Sequence, residues 1–178
     1  MPRTKSETEA LYYQAAKMLN YCPDSGNLYW KEIKPHGKVK IGDIAGCKAK
    51  RSKGKIGSCC IRVVYMKVPL LGHRLCWLIY YGCLVEMIDH IDGDPANNKL
   101  SNLRSCTNQE NSFNRGKNKN NTSGYKGVSL NKSRGKYQAK IYINNKSVSL
   151  GYFLDPKDAH LAYVEGSSKY HGEFARAS

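Results

Sequence analysis

Asn114 to Ser123 reads Asn-Arg-Gly-Lys-Asn-Lys-Asn-Asn-Thr-Ser, ten residues low in apolar side chains and rich in Asn and Lys. Such a stretch has nothing to place in a core and reads as a linker. A chain of 178 residues is long enough for one domain or two small ones. The break favours two, with boundaries expected at 1–71 (an N-terminal helix and short strands), 72–115 (a compact core), 116–123 (the linker) and 124–178 (a second module). The fold class expected is α+β.

The two sides of the break carry different patterns. Upstream, Ser6 to Glu9 fits a capping box, and Leu11, Ala15, Met18 and Leu19 form one apolar helical face. Pro23-Asp24-Ser25-Gly26 is a turn leading into a strand at Leu28-Tyr29-Trp30. Residues 40 to 70 read as short strands with a mobile basic tip around Lys48 to Lys55. His73 to Tyr81 reads as an apolar helix ended by Gly82, Cys83 to His90 as a strand, and Asp92 to Pro95 as a loop. Leu100 to Cys106 reads as a second strand. Thr107 can then cap a helix, with Glu110 at the capping-box position and Gly116 near its stop.

Downstream, Tyr137 to Ile143 alternates, with Ala139, Ile141 and Ile143 on one face and Gln138, Lys140 and Tyr142 on the other. Asn144-Asn145 supplies a hairpin turn, and Val148, Leu150 and Tyr152 continue the alternation. Asp155-Pro156 opens a helix with an N-cap and a proline at its first position, and Ala159, Ala162, Tyr163, Gly166 and Tyr170 form its apolar stripe. The expectation is a three-stranded antiparallel sheet packed on one helix.

The formal charge of +15 points to a polyanionic partner. From Lys31 to Lys67 there are eleven Lys and Arg against Glu32 and Asp43, and from Asn111 to Leu154 there is no acid at all. Residues 82 to 110 invert this, holding Glu86, Asp89, Asp92, Asp94 and Glu110 against Lys99 and Arg104. A small acidic island within a basic chain is what a cation-dependent nuclease would need: base to hold phosphate, acid to hold metal. Seven cysteines without a CxxC pair, and with Cys59 and Cys60 adjacent, argue for reduced thiols and against a zinc site or a disulfide. No signal peptide is evident, and Leu75 to Tyr81 is too short to cross a bilayer, so a cytoplasmic protein without a membrane partner is expected.

Within the island, Asp89-His90 is followed by Asn102 twelve residues after the histidine and by Asn111 nine residues further on. Carboxylate and amide oxygens suit a hard cation, and a neutral imidazole beside it takes a proton from water near pH 7. An EF-hand reading fails, because Asn97 and Leu103 stand where glycine and glutamate are needed. Asp92 and Asp94 are assigned instead to shaping the turn. On a regular strand Asp89 and His90 face opposite ways, so a shared site asks for an irregular strand end.

Residues 72 to 114 (Gly-His-Arg-Leu, Ile-Asp-His-Ile-Asp-Gly-Asp, Asn-Asn-Lys-Leu-Ser-Asn-Leu-Arg, Asn-Gln-Glu-Asn) resemble the HNH homing endonucleases of phages and group I introns. Gly26 to Trp30 and Gly42 to Gly46 are similar to segments that precede the motif in that family. The resemblance implies a ββα-metal fold in which His90 activates water and Asp89 and Asn111 ligate one Mg²⁺ or Mn²⁺. It also implies that Asn102 braces the loop and orients the imidazole. His73 and Arg74 lie outside that core and are candidates to touch phosphate; a helix cap is the other reading of His73.

Residues 122 to 177 (Ser-Gly-Tyr-Lys-Gly-Val, Gly-Lys-Tyr-Gln-Ala-Lys-Ile, Leu-Gly-Tyr-Phe, His-Gly-Glu-Phe-Ala) resemble the Apetala-two DNA-binding domain of plant ethylene-response factors. That resemblance implies a sheet laid in the major groove of double-stranded DNA, contacting it through Lys126, Ser129, Asn131, Arg134, Lys140, Tyr142, Ser147 and Ser149. Lys136 and Lys146 are assigned to phosphate, and Tyr125, Tyr152, Phe153 and Tyr163 to the core. The functional expectation is a monomeric, site-specific DNA endonuclease of bacterial or phage-infected cells, pairing only transiently for double-strand cuts, with no protein partner implied. The competing one is a DNA-binding regulator that keeps the nuclease frame without its chemistry.

Overall fold

The computed structural model describes residues 3–32, 39–50, 59–144 and 146–176. It is a mixed α+β structure whose described residues form several small antiparallel sheets and four α-helices. The chain divides into two compact units, Met1–Cys106 and Thr107–Ser178.

The first unit opens with helix α1 (Lys5–Lys17). Thr4-Lys-Ser-Glu-Thr-Glu offers two overlapping capping boxes, and the earlier one is used: Glu7 N–H donates to Thr4 Oγ1 at 3.2 Å, and Thr4 N–H donates to Glu7 Oε2 at 2.8 Å. The Ser6 box expected from sequence is therefore interior to the helix. The buried face is Tyr12 and Ala15, while Met18 is the C-cap and Leu19 already begins a strand. The Tyr12 hydroxyl accepts the Leu71 N–H at 2.9 Å, and burial raises its pKa against that bond and the nearby Arg74 and Arg62.

Strands β1 (Leu19–Cys22) and β2 (Asn27–Trp30) form a hairpin around the Pro23 to Gly26 turn. Strands β3 (Cys47–Lys50), β4 (Cys59–Tyr65) and β5 (Val68–Leu71) form a second sheet in that order. The β4–β5 turn is tight, with Met66 and Lys67 at positive φ of 47° and 63°. The expected basic tip falls mostly on residues 51–58, outside the described ones. Helix α2 (Gly72–Tyr81) ends at Gly82 in the left-handed conformation, as the sequence predicts. Leu28, Val63, Leu70, Leu75 and Cys76 are almost free of solvent and form the centre of this unit.

Strands β6 (Ile88–His90) and β7 (Leu103–Ser105) form the hairpin that matters for function, tied to the core by Ile88 and Leu103. Both are shorter than expected. Leu100–Asn102 is a 3₁₀ turn, which shortens β7 at its start, and the register would set residues 83–87 opposite 106–110, where Thr107 already caps a helix; Leu84 and Val85 pack on the core without joining a strand.

Helix α3 (Asn108–Phe113) opens the second unit, capped by Thr107 and Glu110 in the expected box. It stops at Phe113 rather than near Gly116. Strands β8 (Val128–Asn131), β9 (Lys136–Ile143) and β10 (Lys146–Phe153) form a sheet in the order β10-β9-β8. Helix α4 (Pro156–His171) packs on it, with its N-cap Asp155 accepting from Lys157 N–H at 2.7 Å. Asn145 of the expected hairpin turn lies outside the described residues, and Asn144 has φ +49°.

Two details of this unit differ from expectation. A bulge between Ser149 and Gly151 places one extra residue in β10, which brings Tyr152 opposite Gln138 on the outer face rather than into the core. On α4 the buried stripe ends at His171, while Tyr170 is 48% exposed. From Ala159 and Tyr163 the stripe advances by fours, to Ser167 and His171. Gly166 lets helix and sheet approach closely, since a Cβ there would stand 2.8 Å from Leu150 Cδ1.

Candidate active site

The β6–β7 ladder pairs Asp89 with Arg104 and His90 with Leu103, and it is regular through both pairs. Alternation then sends His90 to the same face as Ile88 and Leu103, and Asp89 to the opposite one. No irregularity brings Asp89 and His90 to one side. The chain turns only afterwards, where Gly93 N–H donates to His90 O at 2.8 Å.

Asp89 is buried and meets its cross-strand partner directly: Arg104 donates to Oδ2 from Nη2 at 2.8 Å and from Nε at 3.1 Å. His90 is also buried. Its Nε2 lies 3.0 Å from Asn98 Oδ1, and its ring stands edge-on to that of His73 on α2, with centroids 5.2 Å apart. Among the described residues, no group of three or more His, Cys, Asp or Glu side chains is arranged to hold a metal ion. The donors expected for one, the Asp89 carboxylate and the Asn111 amide on α3, are hard oxygens of the kind Mg²⁺ takes alongside water and phosphate.

Asn102 organises the loop between the strands. Its Nδ2 donates to Asp92 Oδ1 at 3.0 Å and to Asn97 O at 2.8 Å, while its Oδ1 accepts the Asp92 N–H at 3.0 Å. Asp92 also accepts from Asp94 N–H and from Asn97 Nδ2. Burial raises the Asp92 pKa, but the hydrogen bonds from Asn97, Asp94 and Asn102, with His90 nearby, outweigh it and hold the carboxyl below the usual range. The hydrogen bonds of Asn102 run to the loop, while the imidazole rests on Asn98. Asn98 and Arg104 are the partners that sequence reasoning left without a role. The Asn97-Asn98 doublet and an arginine in β7 were the visible signals.

His73 makes no side-chain cap on α2, whose N-cap is Leu71. Arg74 lies over the Tyr12 ring at 5.5 Å and donates to Glu86 O at 3.2 Å.

In the second unit, cross-strand pairing aligns Ser129 with Gln138, Lys140 with Ser149, and Tyr142 with Ser147 on the face away from α4. Lys136 shares that parity, whereas Lys146 pairs with Ile143 and belongs to the other face. Arg134 lies over the Tyr152 ring at 4.5 Å. Asn131 turns back to accept from Ser133 and from the Arg134 N–H. Lys126 is directed inward: its ammonium donates to Phe113 O and Arg176 O, both at 2.7 Å, and burial, with Arg176 adding to it, lowers its pKa to about 8. An open groove of about 570 Å³ runs between residues 112–122 and β9, lined by Arg115, Lys117, Lys140 and Tyr142 among others.

Residues 71–113 match the HNH endonuclease family. Protein 3.8 of Escherichia phage T7 is 37% identical over 89 residues, which cover 50% of this chain and 73% of that protein. The chain belongs to the HNH endonuclease family. Its HNH segment runs from the end of β5 through α2 and the β6–β7 hairpin to the end of α3, and therefore includes His73, Asp89, His90, Asn98, Asn102 and Asn111. An endonuclease family has nucleic acid as its substrate. No solved structure matches the chain. No helix among the described residues is long and apolar enough to cross a membrane.

Proposed function

We propose that this HNH protein is a site-specific DNA endonuclease of the homing type, with a C-terminal sheet that anchors it on double-stranded DNA. The observation that carries the reading is the imidazole of His90. It is buried at the end of β6 inside the family-matched segment and held at 3.0 Å by a neutral amide, which orients a ring without adding charge.

His90 takes the proton of the attacking water as its oxygen adds to phosphorus, and the bond to the 3′ oxygen breaks. Asp89 and Asn111 would hold a single Mg²⁺ or Mn²⁺, which when bound supplies charge to the crowded phosphorane and the departing oxygen. Because Asp89 and His90 leave the strand on opposite faces, a phosphate served by both has to lie at the strand's end, where the chain turns at Ile91 to Gly93. Asn102 keeps that turn in shape through its three hydrogen bonds. Arg104 holds the buried Asp89 carboxylate in place.

The exposed face bearing Ser129, Lys140, Tyr142, Ser147 and Ser149 supports DNA anchoring by an Apetala-two-like module, with Lys136 at its edge for phosphate. Tethering a weak catalytic unit to such a module lengthens its residence on DNA. One active site cuts one strand, so a monomer nicks and a double-strand break needs two copies or a second visit. The place of action is the cytoplasm of the bacterial or phage-infected cell.

Plasmid cleavage tests this. Wild type with Mg²⁺ should nick supercoiled DNA, while EDTA or His90→Ala should leave it intact with binding retained. A wild-type protein that binds DNA but cuts no substrate with Mg²⁺ or Mn²⁺ is a regulator, and the nuclease proposal fails.

A further inference from the structure

Asn98 is almost wholly buried, at 2% exposure, and its side chain is used in an unusual way. Its Oδ1 faces His90 Nε2, while its Nδ2 finds no hydrogen-bond partner. Buried amide groups are rarely left unpaired in native structures, and such exceptions ask for a reason. The reason offered by the geometry is the tautomer of His90. An amide oxygen only accepts, so with Oδ1 on the ring Nε2 must carry the proton. The neutral imidazole then keeps its lone pair on Nδ1.

The backbone around Asn98 is held from several directions. The Tyr21 hydroxyl on β1 donates to Asn98 O at 2.7 Å, and Leu100 N–H donates to Pro23 O at 3.0 Å in the β1–β2 turn. Asn102 holds the preceding carbonyl, Asn97 O, at 2.8 Å. Gly26, at φ +75°, touches the same peptide: a Cβ there would stand 2.5 Å from Lys99 N and 2.6 Å from the Asn98 carbonyl carbon. Only glycine allows the two backbones this close. Tyr21, Pro23 and Gly26 all lie outside the residues that match the HNH family.

We infer that Asn98 is a positioning residue that holds His90 in the Nε2–H tautomer with Nδ1 as the base, and that the β1–β2 hairpin works as its clamp. The inference rests on the reading of His90 as general base. Among the described residues, titratable groups near the ring include His73 from α2, edge-on at 5.2 Å, and Asp92 from the loop.

The test uses the full chain and two independent readouts. Ring ¹⁵N shifts of His90, assigned with His90→Gln, report the tautomer in metal-free protein whether or not it cuts. Single-turnover cleavage at saturating DNA reports the chemical step. Wild type should show Nε2–H. Asn98→Leu should mix the tautomers and slow cleavage about 100-fold, the scale of a general base, without weakening DNA binding. Asn98→Asp keeps the size and the acceptor. It should preserve the tautomer and rescue most of the rate. Tyr21→Phe should give a smaller loss of rate at unchanged affinity.

An Nδ1–H ring in wild type overturns the inference. So does an Asn98→Leu variant with the tautomer and rate of wild type, or, should that variant not fold, an Asn98→Asp variant whose ring loses the Nε2–H tautomer while the rate stays at that of wild type. If wild type does not cut at all, the nuclease reading falls and the ¹⁵N arm alone decides the role of Asn98.

Discussion

Replacing Arg104 by methionine removes the cation from a buried ion pair while keeping much of its apolar volume. The two side chains are 12% and 6% exposed, and Arg104 places two donors on one Asp89 oxygen at 2.8 and 3.1 Å. Stranding one charge of such a pair costs about 3–5 kcal/mol. The lower end is taken here. About 3 kcal/mol is a large part of the 5–15 kcal/mol that holds an ordinary domain together.

The chain offers a clean reporter. Both of its tryptophans, Trp30 and Trp77, are buried in the first unit, so their fluorescence follows that unit alone. With a urea slope of about 1.5 kcal/mol per molar, R104M should lower the midpoint by about 2 M. Asp89→Asn removes the charge that R104M strands. The double variant D89N/R104M should therefore be no less stable than R104M, with a coupling of about 2–3 kcal/mol across the cycle. Function should separate the same pair: D89N should abolish cleavage, whereas R104M, which keeps the carboxylate but not its anchor, should only weaken it. Single effects that add to within about 0.5 kcal/mol would refute the assignment of this pair as the electrostatic anchor of the hairpin.

Asn102→Ala should cost about 2–3 kcal/mol in the same fluorescence assay through its three lost hydrogen bonds, and faster amide exchange at Asp92 and Asn97 should show that the loop is where it acts. The Lys126 ammonium sits near pKa 8 folded and 10.5 unfolded, so the unfolded chain binds more protons between those values and stability rises with pH across that window. For a half-exposed group the gain is about 1 kcal/mol, and pH-dependent melts of Lys126→Met should lack it. Lys140→Ala should weaken DNA binding and flatten its salt dependence by about one counterion; an unchanged slope would remove the outer sheet face as the contact surface.

The parts legible in the sequence are those governed by neighbours along the chain. The Gly82 stop of α2, the Thr107–Glu110 cap of α3, the Asp155-Pro156 start of α4 and the alternation of β9 all rest on local backbone and side-chain rules. Local rules misplaced α1 by two residues where two capping boxes overlapped, and they overextended β6 and β7 because neither strand reveals how long its partner is. The sequence places Tyr152 in the core, because a one-residue bulge leaves no mark in an alternating pattern. The resemblance places Lys126 on DNA, because a lysine that caps two distant carbonyls reads no differently in sequence from one in solvent.

For the candidate site, the sequence by itself determined the residue types, their spacing and the family: a carboxylate, an imidazole and two amides in an acidic island between basic flanks. Tertiary structure alone decided who meets whom. Asp89 lies opposite Arg104 because of the β6–β7 register. His90 meets Asn98, eight positions on, because the loop folds back on itself under Asn102. Tyr21 reaches Asn98 across 77 positions of chain, a separation at which no local pattern carries information. Contacts of that kind depend on where a packed core places two backbones, and the backbones meet here because Gly26 lacks a side chain to hold them apart.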